Sequence, residues 1–250
     1  MTTVRIERYE HTARVILNRA AKRNAISAEV ASDLEGALLS LAEEPDLRVV
    51  VLSGDGPSFC AGADVGQLSE LTPETAERFI RGLHRAIAAA MACPVPIIAA
   101  IRGACIGAGL ELAAGCDMRI ASQDARFSMP EVKIGVPSVI EAALLPRLMG
   151  RGRAARLVLT GETIDAQTAL DWGLVEELVA GDDLMFRAGA LAAEIAEADP
   201  LAVRAQKRLL RAWDDMTVAQ AVEASVSAFA DSYRTDAPRT RIAAALTGRT

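Results

Sequence analysis

Residues 101–117 read IRGACIGAGLELAAGCD. An apolar run from Pro94 to Ile101 leads into Arg102-Gly103. A small-residue turn, Gly107-Ala108-Gly109, follows, and Leu110 to Ala114 has helical character. The pattern predicts a buried strand, a tight turn and a helix N-terminus. A helix start carries unpaired N–H groups and the positive end of its dipole. Small residues there let a ligand oxygen reach the backbone. Glu111 sits one helical turn inside. The stretch therefore offers an anion or oxyanion site with an acid/base group beside it. A Gly-rich strand-to-helix connection with no ligand reads the same way in isolation, so the rest of the chain decides.

On the N-terminal side, residues 58–68 (SFCAGADVGQL) supply a second small-residue turn, Ala61-Gly62-Ala63, followed by Asp64. Thr72 is a helix cap with Pro73 in the first turn, and Phe79, Leu83, Ile87 and Met91 keep helical spacing. Earlier, Val4 to Glu7 alternates and Ala13 to Leu17 is a second strand, so a hairpin turning at His11-Thr12 is expected. Asn18 to Asn24 is polar and basic, either a solvated loop or one that faces phosphate. Ser27 caps a helix to about Glu44, with Val30, Leu34, Ala37, Leu38 and Leu41 on one face. Leu47 to Leu52 is a β-branched-rich buried strand, and 53–57 a loop.

On the C-terminal side, strands are expected at Met118 to Ala121 and Ala125 to Met129, and an apolar helix carrying Glu141 at Ser138 to Leu148. A helix over 150–160, a short one capped by Asp165, and a short strand from Leu174 to Val179 follow. From Asp182 the chain reads as helices alone. The organisation is an α/β core over 1–180 and a helical region over 181–250.

Composition narrows the function. Net charge is −6 with no basic block, which argues against a nucleic-acid partner. Met1 to Glu10 does not read as a secretory signal, and the longest uncharged run, Ala86 to Ile101, is too short and too broken by Pro94 and Pro96 to span a membrane. A cytoplasmic protein is expected. Cys60, Cys93, Cys105 and Cys116 form no C-x-x-C pair and are expected to be reduced and mostly buried. His11 and His84 are too few for a histidine metal cluster and are read as surface or packing residues.

Taken together, the chain resembles the enoyl-CoA hydratase/isomerase, or crotonase, superfamily. The resemblance rests on LNRAAKRNAIS (17–27), FCAGADV (59–65), PVPIIAAIRGACIGAGLELAAGCDMRIAS (94–122), ARFSMPEVKIG (125–135), PRLMG (146–150) and TGETIDAQTALDWGLV (160–175), in family-like order and spacing. It implies a crotonase-like spiral of β-β-α turns with a C-terminal helical oligomerisation region, assembled as a homotrimer or dimer of trimers. It also implies an acyl-CoA thioester substrate and no metal or redox cofactor.

By motif, the family's oxyanion-hole N–H groups map onto Ala63 and Ala108, and its two acid/base glutamates onto Glu111 and Glu131. The implied reaction is addition of water to a 2-enoyl-CoA. The alternatives are double-bond isomerisation or another crotonase-type lyase or hydrolase reaction, since fold alone does not choose. The resemblance points to Lys22, Arg23, Asn24, Ala25, Ala61 and Asp64 for CoA, with Lys207 and Arg208 as weaker candidates read as solvated. One departure stands out. Where many hydratases carry a PGxGG-like segment, this chain reads GVPSVIEA (135–142). Ser138 takes the place of a pocket glycine. Glu141 is read as facing solvent or another subunit, with a third polar group at the acyl pocket as the alternative.

Overall fold

The computed structural model describes residues 2–247. The strands are β1 (Val4–Tyr9), β2 (Thr12–Leu17), β3 (Val49–Gly54), β4 (Ile97–Ile101), β5 (Ala104–Ile106), β6 (Met118–Ser122), β7 (Arg126–Ser128), β8 (Thr163–Asp165) and β9 (Glu177–Val179). One sheet runs β1-β2-β3-β4-β6-β9, and a smaller one β5-β7-β8. The β1–β2 hairpin is antiparallel, and each later pair in the large sheet is parallel. The hairpin turns at Glu10 and His11, with Glu10 at φ 33, so Thr12 pairs with Tyr9 in the ladder instead of turning.

The helices are α1 (Ala28–Ala42), α2 (Val65–Leu68), α3 (Pro73–Ala92), α4 (Ala108–Ala114), α5 (Leu145–Met149), α6 (Arg151–Thr160), α7 (Ala166–Trp172), α8 (Leu184–Glu197), α9 (Pro200–Trp213), α10 (Val218–Ser232) and α11 (Ala237–Leu246). Ser27 caps α1 by accepting from the Val30 N–H, and Thr72 and Thr75 form a reciprocal capping box on α3.

The path is a spiral. The chain steps from the large sheet to the small one at β4–β5 and again at β6–β7, and returns through β8, α7 and β9. The preceding turn makes the same step with a single residue, because Cys60 bridges to Cys105. Strands buried on both faces make this possible. In β3, Val50 and Leu52 join the main core with α1 and α3, while Val49 and Val51 face Leu184, Ala188 and Ala192 of α8. The first C-terminal helix is thus a layer of the core.

Further local expectations change. Residues 138–148 are not one helix: a 3-10 turn, Ile140–Leu144, precedes α5, and Ile140 has φ 43. The small-sheet strands β5 and β8 were not foreseen, and Ser53-Gly54 extends β3 instead of looping.

Candidate active site

The two small-residue turns are locked together by backbone. The Cys60 N–H donates to the Ala104 carbonyl at 2.9 Å, and the Ile106 N–H returns a bond to the Cys60 carbonyl at 3.0 Å. A Cβ on residue 109 would stand 2.6 Å from the Cys60 oxygen, so only glycine permits this approach. Ile26 forms a parallel bridge to Ala63 by using the Gly62 carbonyl and the Asp64 N–H. In such a bridge the N–H of Ala63 itself points away from Ile26. The Ala108 N–H opens α4 and has no carbonyl one turn back in the helix. Among the described residues neither N–H donates a hydrogen bond. Gly62, at φ 98, brings its turn close enough that a Cβ would lie 4.0 Å from the Ala108 nitrogen.

Glu111 lies on α4, only 4% exposed, and accepts a hydrogen bond from the Ala142 N–H at 3.2 Å. Burial pushes its carboxyl up to about 8. The charge of Glu131 and, less strongly, that of Glu141 act in the same direction, while the Ala142 and Val139 N–H groups oppose it. Glu131 opens a 3-10 turn, Glu131–Ile134, that follows β7. One carboxylate oxygen, Oε1, lies over Gly107, where a Cβ would come within 2.2 Å of it. The other, Oε2, accepts from the Ser138 hydroxyl at 2.8 Å. The two glutamates thus meet at the N-terminus of α4, beside both free N–H groups.

Ser138 therefore contacts a carboxylate, a role its place in the sequence did not reveal. Glu141 is only 6% exposed and does not face solvent. Its Oε1 lies 2.7 Å from His84 Nδ1 on α3, and its Oε2 is buried without a hydrogen-bond partner. His84 is accordingly more than a surface residue, although its side chain remains 53% exposed. No local pattern could pair residues 57 positions apart.

The loop before α1 divides into two kinds of residue. Lys22 and Arg23 are exposed, and Arg23 also tethers the Ala61 N–H through its carbonyl at 2.9 Å. Asn24 is 1% exposed at φ 57, and its side chain is fully committed. Its amide donates to the Asp55 and Ser58 carbonyls, and its oxygen accepts from the Arg19 N–H. That side chain holds the loop and is not open to a ligand. The Ala25 carbonyl and the Asp64 carboxylate both accept from the Arg19 guanidinium. Burial raises the Asp64 carboxyl, but Arg19 and the α2 amides outweigh it and hold the group below its usual range. Asp64 is thus a loop clamp. Lys207 is not solvated: it is 4% exposed and donates to the Val95 carbonyl at 2.9 Å and to Asp117 at 2.7 Å.

All four cysteines are free and buried. Burial pushes the Cys60 and Cys116 thiols up to about 12, so neither offers a thiolate near neutral pH. No described helix is long and apolar enough to cross a membrane.

Comparison with known proteins gives the family of the chain. The family model described as enoyl-CoA hydratase/isomerase matches residues 7–244. The chain is 38% identical over 215 residues to the (E)-benzylidenesuccinyl-CoA hydratase of Thauera aromatica, covering 85% of this chain and 84% of that protein. It is 35% identical over 206 residues to a Mycobacterium tuberculosis protein named "Probable enoyl-CoA hydratase echA8", covering 82% and 79%. The crystal structure of an enoyl-CoA hydratase from Bacillus anthracis superposes with a TM-score of 0.96 at 30% identity, over 99% of this chain and 97% of that one. The fold and the family match define an enzyme of the crotonase superfamily. This chain belongs to the enoyl-CoA hydratase/isomerase family.

Proposed function

We propose that the protein hydrates the 2,3 double bond of a 2-enoyl-CoA to give a 3-hydroxyacyl-CoA. The observation that carries this reading is the meeting of Glu111 and Glu131 at the α4 N-terminus beside the N–H groups of Ala63 and Ala108. In the proposed reaction the two N–H groups hold the thioester oxygen. Attack at C3 drives negative charge onto that oxygen, and donors fixed in advance stabilise it. Removing one such donor typically costs about 10²–10³ in rate.

The carboxyl pair carries one proton, which burial favours at Glu111. The carboxylate takes a proton from water as its oxygen bonds to C3. The carboxylic acid gives its proton to C2, and the pair ends with one proton, as it began. The step needs no metal or redox cofactor. Ser138 holds Glu131 in the orientation this requires. Lys22 and Arg23, exposed at the loop rim, suit the phosphates of CoA as ion-pair partners.

Self-association as a homotrimer or dimer of trimers belongs to the same reading. Its support is an apolar stripe on α10, where Val218, Val222, Val226 and Phe229 are all more than half exposed.

The test is incubation with crotonyl-CoA, following loss of the conjugated enoyl-thioester absorbance and the product mass. Gain of one water supports hydration. A 3-enoyl product of unchanged mass would make the protein an isomerase instead.

A further inference from the structure

The turn from Ile140 to Leu144 is held in an unfavourable way. Ile140 is β-branched and sits at φ 43, a conformation such residues rarely adopt. Glu141 buries a carboxyl whose Oε2 has no hydrogen-bond partner, although a well-packed apolar residue would avoid that penalty. What the turn presents to the site is one N–H. Ala142 shares it between two acceptors, the Val139 carbonyl at 3.0 Å and Glu111 Oε1 on α4 at 3.2 Å. Such a three-centre bond is poised. A small rotation of the turn toward the Val139 carbonyl would take the N–H away from Glu111.

The turn packs against both α4 and α3. Among the described residues, its hydrogen bond to α3 is that of Glu141 Oε1 with His84 Nδ1, at 2.7 Å. The helix is a firm anchor, because Phe79, Leu83, Ala86, Ile87 and Ala90 fix its other face in the core. We propose that His84 is a positioning residue for the acid/base pair: by bonding Glu141 it fixes the 140–144 turn in the rotation that delivers the Ala142 N–H to Glu111. This deepens the hydratase reading and rests on it. The His84–Glu141 bond forms whether its proton belongs to the imidazole or to the carboxyl, so the role requires no charge on either group. The effect is geometric. A general acid or base must stand within hydrogen-bond reach of the atom it serves, and small displacements are costly.

The test compares crystal structures and steady-state kinetics of wild type, His84→Ala and His84→Asn. The asparagine amide can replace the imidazole Nδ1 as a partner for Glu141. In His84→Ala the Ala142 N–H is expected to leave Glu111 for the Val139 carbonyl alone. Its kcat should fall at least about tenfold, with KM within about twofold of wild type. His84→Asn should keep the Glu111 bond and recover most of that kcat. Because His84 acts through Glu141, the double variant His84→Ala/Glu141→Ala should lose no more than Glu141→Ala alone. His84→Ala that retains the Ala142–Glu111 bond, or turns over at the wild-type rate, overturns the proposal. So does a kcat loss that His84→Asn leaves unrepaired, or one that multiplies with that of Glu141→Ala. If His84→Ala fails to fold, His84→Leu keeps the bulk of the side chain and carries the same expectations. A wild-type protein that hydrates no enoyl-CoA would refute the hydratase reading alone, since the crystal structures still decide whether His84 directs the Ala142 N–H.

Discussion

Oε1 of Glu131 occupies the space that a side chain on residue 107 would need, 2.2 Å from the position of a Cβ. Gly107 also has φ 51 and ψ −122, a conformation open to glycine and strained for other residues by about 1–3 kcal/mol. The first turn of α4 and the placement of Glu131 therefore depend on the same missing atom. Gly107→Ala should fold, with modest loss of stability, and should lose at least about 100-fold in kcat because Glu131 is displaced. Enoyl-thioester turnover alongside circular dichroism checks this. Turnover close to wild type would mean that Glu131 is not needed where the structure puts it.

Asn24 tests the architecture of the loop before α1. Its side chain joins the Asp55 and Ser58 carbonyls to the Arg19 N–H from a buried position. Asn24→Ala and Asn24→Gly should each cost on the order of 2–4 kcal/mol, since both strand buried polar groups. Urea unfolding measures this. If glycine were as stable as asparagine, the left-handed φ, and not the hydrogen bonds, would be the reason for Asn24.

These two positions mark how far the sequence could be read. Small residues at Ala61-Gly62-Ala63 and Gly107-Ala108-Gly109 announce open backbone, and the cap residues Ser27 and Thr72 announce helices, because both signals are local. Asn24 looks like a ligand-loop residue, and nothing nearby reveals partners at Asp55 and Ser58. Lys207 looks solvated because Asp117 lies 90 positions away. Glu141 looks like an exposed charge on an apolar helix. It is buried in contact with His84, 57 positions away, and the helix breaks into a 3-10 turn whose Ala142 N–H donates to Glu111. Strands β5 and β8 are three residues each, too short for an alternating pattern to register.

The raised carboxyl of Glu111 makes stability depend on pH. Its folded-state value of about 8 lies above the ordinary 4.5, so the native protein holds this proton more tightly than the unfolded chain does. The stabilisation is complete below the unfolded value and is lost as pH rises through about 8. Glu111→Gln keeps a neutral group at every pH. Its melting temperature relative to wild type should therefore climb between pH 5 and pH 9, by several degrees. A difference independent of pH would mean that Glu111 is already ionised at neutral pH.

The most direct test of the paired-carboxyl account is steady-state hydration by Glu111→Gln and Glu131→Gln beside wild type, on the 2-enoyl-CoA that wild type turns over fastest. Each variant should fold and bind substrate, and each should lose about 10²–10⁴-fold in kcat. The double variant should lose little more than the worse single one, because the two groups act as a unit in one addition step. Near-wild-type kcat in either single variant would contradict the account, since one carboxyl group would then suffice.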